Sequence, residues 1–279
     1  MVFALTVALA MGLSISTRII NSIKRISSSD SGARAISAAE GGIEWFLRQP
    51  VSVLENLSDG DSNNGNECPK GTNRSTRILG GCVVTYRPAI ADKVQSQALI
   101  TIRKFSTNYS LDGVDQYRFT LDTGSVKEVR LEGYAGEIQV CWRSLSNSNS
   151  SGLYYVKYND EEAFEKRIIA PFEYNGNFVV KGEFINADQG RLEYSSCALI
   201  EIEPDTLAIR LKSLYAPSRV GVIPLSGNLP YQGYQITSLG QMSEILHKVP
   251  QARLVTAYRS FPYTPSIIDY GIYTPSELR

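Results

Sequence analysis

The chain opens with an apolar run from Val2 to Ile15 that meets no charge before Arg18 and no proline before Pro50. Beyond it Ile15, Ile19, Ile23 and Ile26 recur at steps of three and four residues, and the stripe continues through Ala33, Ile36, Ile43 and Leu47. That spacing predicts one face of an α-helix. At 1.5 Å per residue, about 45 helical residues make a rod of about 65 to 70 Å, longer than the three or four turns usual in a globular domain. The first third, apolar all round, predicts lipid or other helices on every side. The remainder predicts a partner along one face. Ser27 to Gly32 are poor helix formers and predict a weaker, solvated stretch of the rod. Glu40 and Glu44 lie one turn apart and predict exposure to water, or to Arg34 or Arg48 of a neighbour.

After Pro50 the pattern changes twice. Residues 50–81 are polar and rich in Asn, Asp, Gly and Ser. Then short runs of β-branched and aromatic residues predict strands at 82–86, 98–105, 117–121, 126–131, 137–142, 153–158, 178–181, 191–202, 206–214, 220–223 and 234–239. Turn residues punctuate them at 122–124, 147–152, 175–176, 203–205 and 226–228. A short helix is predicted at 243–248, and an extended Pro/Tyr-rich segment at 261–275. The fold class expected is therefore α+β, a long N-terminal helix followed by a β-rich head of β-sandwich or jelly-roll type. The expected divisions are 1–49 for the stem, 50–125 for a polar loop and first β subdomain, and 126–279 for the sandwich and its C-terminal segment.

Charge and motifs narrow the function classes. The 28 basic and 28 acidic residues cancel, which argues against nucleic acid as a partner, since phosphate neutralisation needs a basic face. Four cysteines, Cys68, Cys82, Cys141 and Cys197, make no C-x-x-C pair, and the only histidine is His247. Disulfides in an exported protein fit this better than zinc. Of three connectivities, Cys68 with Cys82 and Cys141 with Cys197 is favoured, because the first pair brackets a Gly/Asn/Lys-rich loop. Asp59, Asp61, Asn63 and Glu67 alternate like a calcium loop, but Asn64 stands where an EF-hand needs glycine and Lys70 where it needs the closing glutamate. No nucleophile elbow, phosphate loop or H-E-x-x-H motif occurs. Asp160, Glu161 and Glu162 predict a solvated turn, and Trp142, Tyr154 and Tyr155 either sugar-stacking rings or ordinary core. Sequons stand at Asn56, Asn73, Asn108 and Asn149. A non-enzymatic protein without cofactor is expected.

The residues from Ala35 to Glu44, Ala-Ile-Ser-Ala-Ala-Glu-Gly-Gly-Ile-Glu, resemble the end of the N-terminal helix of type IV pilin-like proteins, in particular minor pilins and pseudopilins. The resemblance covers about the first 47 residues, with a fainter echo at 258–273. It implies a filament subunit whose assembly contacts are Val2, Phe3, Leu5, Val7, Leu9, Leu13, Ile15, Ile19, Ile23, Ile26, Ile36 and Ile43. It also implies a leader ahead of the mature chain, residence in the inner membrane before assembly, and an extracellular filament afterwards. The partners implied are copies of itself or related pilins, the pilus assembly machinery, and a surface ligand for the head. One departure bears on how subunits join: the family usually has glutamate at the fifth mature position, where this chain has Leu5 and no acid before Asp30.

A second expectation comes from the residues alone: a signal-anchored binding module for a glycan or protein ligand that does not polymerise. The basic residues Arg18, Lys24 and Arg25 follow the apolar run, which by the positive-inside rule favours a cytoplasmic head unless a basic leader reverses the bias. The amphipathic stripe beyond lipid separates the two readings, because only a filament subunit needs it.

Overall fold

The computed structural model describes residues 2–58, 68–75, 81–86, 95–146, 150–159, 163–171, 184–243 and 252–262; the side chains at 2–17, 19, 27, 95, 163, 164, 184 and 243 are outside that description. The chain is α+β, with an N-terminal helix followed by a head made mostly of strands. In chain order come α1 (Val2–Leu47), α2 (Val51–Ser58), β1 (Asn73–Arg74), β2 (Cys82–Tyr86) and β3 (Gln95–Phe105). Next are β4 (Tyr109–Leu111), β5 (Val114–Leu121), β6 (Val126–Arg130), β7 (Gly136–Ser144), β8 (Gly152–Tyr158) and β9 (Ala163–Ala170). Then follow β10 (Phe184–Asn186), β11 (Asp188–Gln189), β12 (Ser196–Ile202), β13 (Ala208–Leu214), β14 (Ser218–Pro224), β15 (Gly233–Ser243) and β16 (Ala252–Ser260).

The chain divides into two compact units, and the division differs from the expected one. Unit 1 is Met1–Lys104 with Tyr234–Arg259; unit 2 is Phe105–Gly233 with Ser260–Arg279. Most of the second unit, Phe105–Gly233, is thus inserted between two strands of the first, and the chain returns to the second unit at Ser260. No linker composition marks the junctions, because each falls at a strand end, Phe105 of β3 and Gly233 of β15. That is why boundaries at 50 and 126 looked natural from sequence.

Unit 1 seats α1 on a five-stranded sheet of order β1-β2-β3-β15-β16. Along β15 the residues Tyr234, Ile236, Ser238, Gly240 and Met242 are buried at every second position, the strand period for one covered face. On the helix the buried positions are Gly32, Ala35, Ala38, Ala39, Gly42, Ile43 and Phe46. Most are small, and this sets the closeness of the seat. A Cβ at Gly240 would lie 1.9 Å from the Ala35 carbonyl oxygen and 2.8 Å from the Ala39 nitrogen, and one at Gly42 would lie 2.6 Å from Ile100 Cδ1. At Gly240 the helix and sheet backbones meet with no side chain between them, whereas Gly42 makes room for the side chains of Ile100 and Ala98. The Ala/Gly-rich signature therefore has a plain physical meaning, a flat strip on the helix that admits a strand.

The end of the helix is fixed from the far end of the chain. Arg259 Nη1 donates to the carbonyls of Leu47 at 2.9 Å and Gln49 at 2.6 Å, placing a cation on orphan acceptors at the negative end of the helix dipole. Below it α2 buries Leu54 and Leu57, and its Glu55 accepts from Tyr234 Oη at 2.8 Å and pairs with Lys104 at 2.7 Å. This helix was not expected within the polar 50–81 stretch; its apolar side consists of little more than those two leucines.

Unit 2 holds a five-stranded sheet, β10-β9-β8-β13-β6, and a six-stranded sheet, β11-β12-β7-β14-β5-β4. Pairing is antiparallel apart from β10 with β9. Side chains of both sheets share one core that includes Leu153, Tyr155, Ile169, Ile209 and Leu211 from the first, and Val140, Trp142, Ile200, Val220 and Val222 from the second. The predicted strand over 191–202 begins only at Ser196, after a turn in which Tyr194 N donates to Arg191 O at 3.1 Å. The segments 178–181 and 244–248, for which a strand and a helix are predicted, lie outside the described residues; Ser243 ends β15.

Candidate assembly surface

From Arg18 to Asp30 the described side chains of α1 are exposed, whereas from Gly32 onward one side of the helix is covered. Ile20, Ile23 and Ile26 are 48%, 59% and 66% exposed. Counting about 100° per residue, Ile23 and Ile26 fall on the side turned away from the seat formed by Ala35, Ala39 and Gly42. An isoleucine left in water forgoes on the order of 1.5 to 3 kcal/mol relative to full burial, so this face offers real driving force to whatever covers it.

Ile36 lies at the margin of the seat, 39% exposed, and Ile43 lies within it, 7% exposed. Ile43 thus does not share a face with Ile23 and Ile26 and is not free to meet a neighbouring helix. Steps of three, four and seven residues fit two faces of a long helix equally well, and the stripe read from sequence crosses from one to the other.

On the seat side, where α1 runs beyond its covered part, a groove of about 610 Å³ is lined by Lys24, Arg25, Ser28, Ser29, Gly32, Ala33, Ile36 and Arg253. Its lining among the described residues carries three cations and no carboxylate. The nearest acid along the helix, Asp30, is taken by Arg34 at 3.0 Å, and Glu44 is paired with Arg48. Both are exposed i,i+4 pairs worth a few tenths of a kcal/mol. Glu40 is exposed and has no ion pair among the described residues.

Other residues singled out from sequence fall as follows. The side chains of Val2, Phe3, Leu5, Val7, Leu9, Leu13, Ile15 and Ile19 are outside the described residues, although their backbone is helical. Among the described residues no helix is long and apolar enough to cross a membrane. Asp59, Asp61, Asn63, Glu67, Asn149, Asp160, Glu161, Glu162 and His247 are outside the description too. Cys68 is bonded to Cys82 and Cys141 to Cys197. The second bond joins directly opposed residues of β12 and β7.

Trp142 and Tyr155 are 0% and 2% exposed, and Trp142 Nε1 donates to Ser151 O at 2.8 Å, so neither ring is open to a sugar. The Asn108 amide is spent on the backbone of Arg118, donating to its carbonyl at 2.8 Å and accepting from its N–H at 2.7 Å. Ile20, Arg253 and the capping Arg259 were missed in the sequence. None of the three carried a signal, since β16, which holds both arginines, shows no alternation of buried and exposed positions. No protein-family model matches this chain, and no curated protein matches it.

Proposed function

We propose that this chain is a non-enzymatic structural subunit of a type IV pilus-like extracellular filament. The observation that carries the reading is the row of uncovered isoleucines, Ile20, Ile23 and Ile26, on a 46-residue helix whose later part is already seated on its own sheet. In this reading the apolar 2–15 segment rests in the inner membrane until the assembly machinery moves it into a bundle of like helices, where packing replaces lipid. Unit 2, a β-sandwich, is then displayed at the filament surface for contact with a ligand or another cell. The groove of Lys24, Arg25 and Arg253 suits a carboxylate from an adjacent copy, and Glu40 is available to supply it.

The test is electron microscopy of sheared cell-surface material from cells making Ile23→Asp or Ile26→Asp. Filaments are expected to disappear while the purified protein keeps its circular dichroism and melting temperature. Normal filaments from both variants would overturn the reading. Wild-type protein confined to the membrane fraction, with no filament, would favour the signal-anchored binding module instead.

A further inference from the structure

The outer face of the six-stranded sheet in unit 2, the side away from the shared core, carries an arrangement that folding alone does not favour. Arg219 of β14 stands directly opposite Arg143 of β7 and, on its other side, opposite Thr120 of β5. Directly opposed residues of antiparallel strands share a face with their Cβ atoms about 5 Å apart, and like charges there are destabilising. A third arginine, Arg118, stands two residues before Thr120 on β5.

One carboxylate serves all three. Glu193 Oε1 accepts from Arg118 Nη1 at 2.8 Å, while its Oε2 lies 3.5 Å from Arg219 Nη1 and 3.8 Å from Arg143 Nη2. Arg118 is further fixed by stacking over the Tyr109 ring at 3.2 Å. The Arg143 and Arg219 side chains make no hydrogen bond among the described residues and keep 39% and 33% of their surface in water. Among the described residues the group is left with two positive charges in excess and unused donors on both guanidinium forks. Burial alone would raise the Glu193 pKa, but the Arg118 hydrogen bond and the three arginine charges outweigh it and hold the carboxyl below its usual range. It stays ionised and in place.

The mount for Glu193 is rigid. Its neighbour Tyr194 is buried and donates to Gln116 Oε1. It sits where Gly221 has no side chain, since a Cβ there would lie 2.3 Å from both Tyr194 Oη and Gln116 Oε1. Beneath lie the bonded Cys141 and Cys197, packed with Tyr194 and Ile223. Gly190 N closes the loop on Ser195 O at 3.0 Å. The arginines are therefore held by a fixed counter-charge too small to neutralise them.

We propose that Arg143 and Arg219 form a binding site for the oxyanions of an acidic polysaccharide, a uronate carboxylate or a sulfate ester bridging the two guanidinium groups, with Glu193 as the positioning residue. Bidentate recognition of planar or tetrahedral oxyanions is what paired guanidinium forks do well. The site lies on an open sheet face rather than in an enclosing pocket, which suits a chain molecule lying across it better than a small ligand needing burial. Nucleic acid is disfavoured by the net charge of zero and by an excess of only two cations, against the extended basic stripe that polyphosphate demands. The site is complete within one chain and does not rest on the filament reading.

The experiment is calorimetric titration of the full chain, kept in non-ionic detergent, with polygalacturonate oligomers and with heparin oligomers. Inorganic sulfate and a DNA duplex serve as comparisons. At least one oligomer is expected to bind, with affinity falling as salt rises. Arg143→Ala and Arg219→Ala are each expected to weaken binding roughly tenfold, while Arg103→Ala, which removes the same charge from unit 1, leaves it unchanged. Binding of duplex DNA alone, of inorganic sulfate alone, or of nothing would overturn the proposal, as would equal losses in all three variants. Unaltered thermal unfolding of the arginine variants shows that the site, and not the fold, was removed. Because filament formation plays no part in the measurement, its outcome and that of the isoleucine variants are read separately.

Discussion

The two units solve the same problem with opposite materials. Unit 1 brings a helix onto a sheet through Ala35, Ala38, Ala39, Gly42 and Gly240, so that at Gly240 backbone meets backbone. Unit 2 fills the space between its sheets with Trp142, Leu153, Ile169, Ile209 and Leu211, all at 0% exposure. A seat of small residues gains close dispersion contact and is intolerant of any added atom. A core of large residues gains more buried apolar area and is sensitive to removal. Each unit thus has its own characteristic way of failing.

The chain supplies a reporter for each, since its two tryptophans are Trp45 in α1 and Trp142 in the unit 2 core. The largest effect is expected from Trp142→Ala, which empties the centre of unit 2 and should cost about 3 to 5 kcal/mol. In chemical denaturation, the remaining Trp45 signal should keep its midpoint while the circular dichroism of the strands is lost early; coincident loss of both would mean that the units fold as one. Gly240→Ala should cost unit 1 about 1 to 3 kcal/mol, because the new methyl meets the Ala35 carbonyl, with the Trp142 fluorescence transition unmoved.

A smaller loss, on the order of 1 kcal/mol, is expected when Arg259→Met removes the cap on Leu47 and Gln49. Amide hydrogen exchange at the last turn of α1 should quicken and little else should change. The smallest effect separates the units by pH. Glu165, Glu193 and Glu203 all belong to unit 2. Burial would raise their pKa, but the cations beside them, Lys157 for Glu165 and Glu203 and Arg118 for Glu193, hold them below the ordinary 4.5. Groups depressed on folding contribute stability that is fully present above 4.5 and fades as the pH falls through their folded values. Melting of unit 2 should therefore drop below pH 4.5 more steeply than that of unit 1.

Much of this architecture was legible. The rod, the Ala/Gly signature, the disulfide pairing and most central strands follow from period, residue size and bracketing turns. What was missed shares a cause, which is pattern without contrast. In β9 the charged residues Glu165, Lys166 and Arg167 interrupt the run, yet Glu165 is used inward, pairing with the buried Lys157 and accepting from Tyr155 Oη. β16 is an edge strand with Leu254 and Tyr258 left exposed, so it shows no alternation to read. The β4 to β5 hairpin did carry a signal, Asp112-Gly113, both at positive φ of 53° and 77°, the signature of a tight two-residue turn. The arginine row was invisible because register, not sequence distance, brings positions 143 and 219 together.

The point of insertion has a consequence for how such a molecule can change over time. The chain enters unit 2 at Phe105 and leaves it after Gly233, and next to that exit Gln232 N donates to Phe105 O at 2.7 Å. Gln232 also receives the returning segment, accepting from Phe261 N at 3.1 Å. A module whose ends already touch adds little closure entropy to its host, however long it is. The stretch from Phe105 to Gly233 can therefore lengthen, shorten or change its loops over a lineage without rewriting the helix seat between α1 and β15.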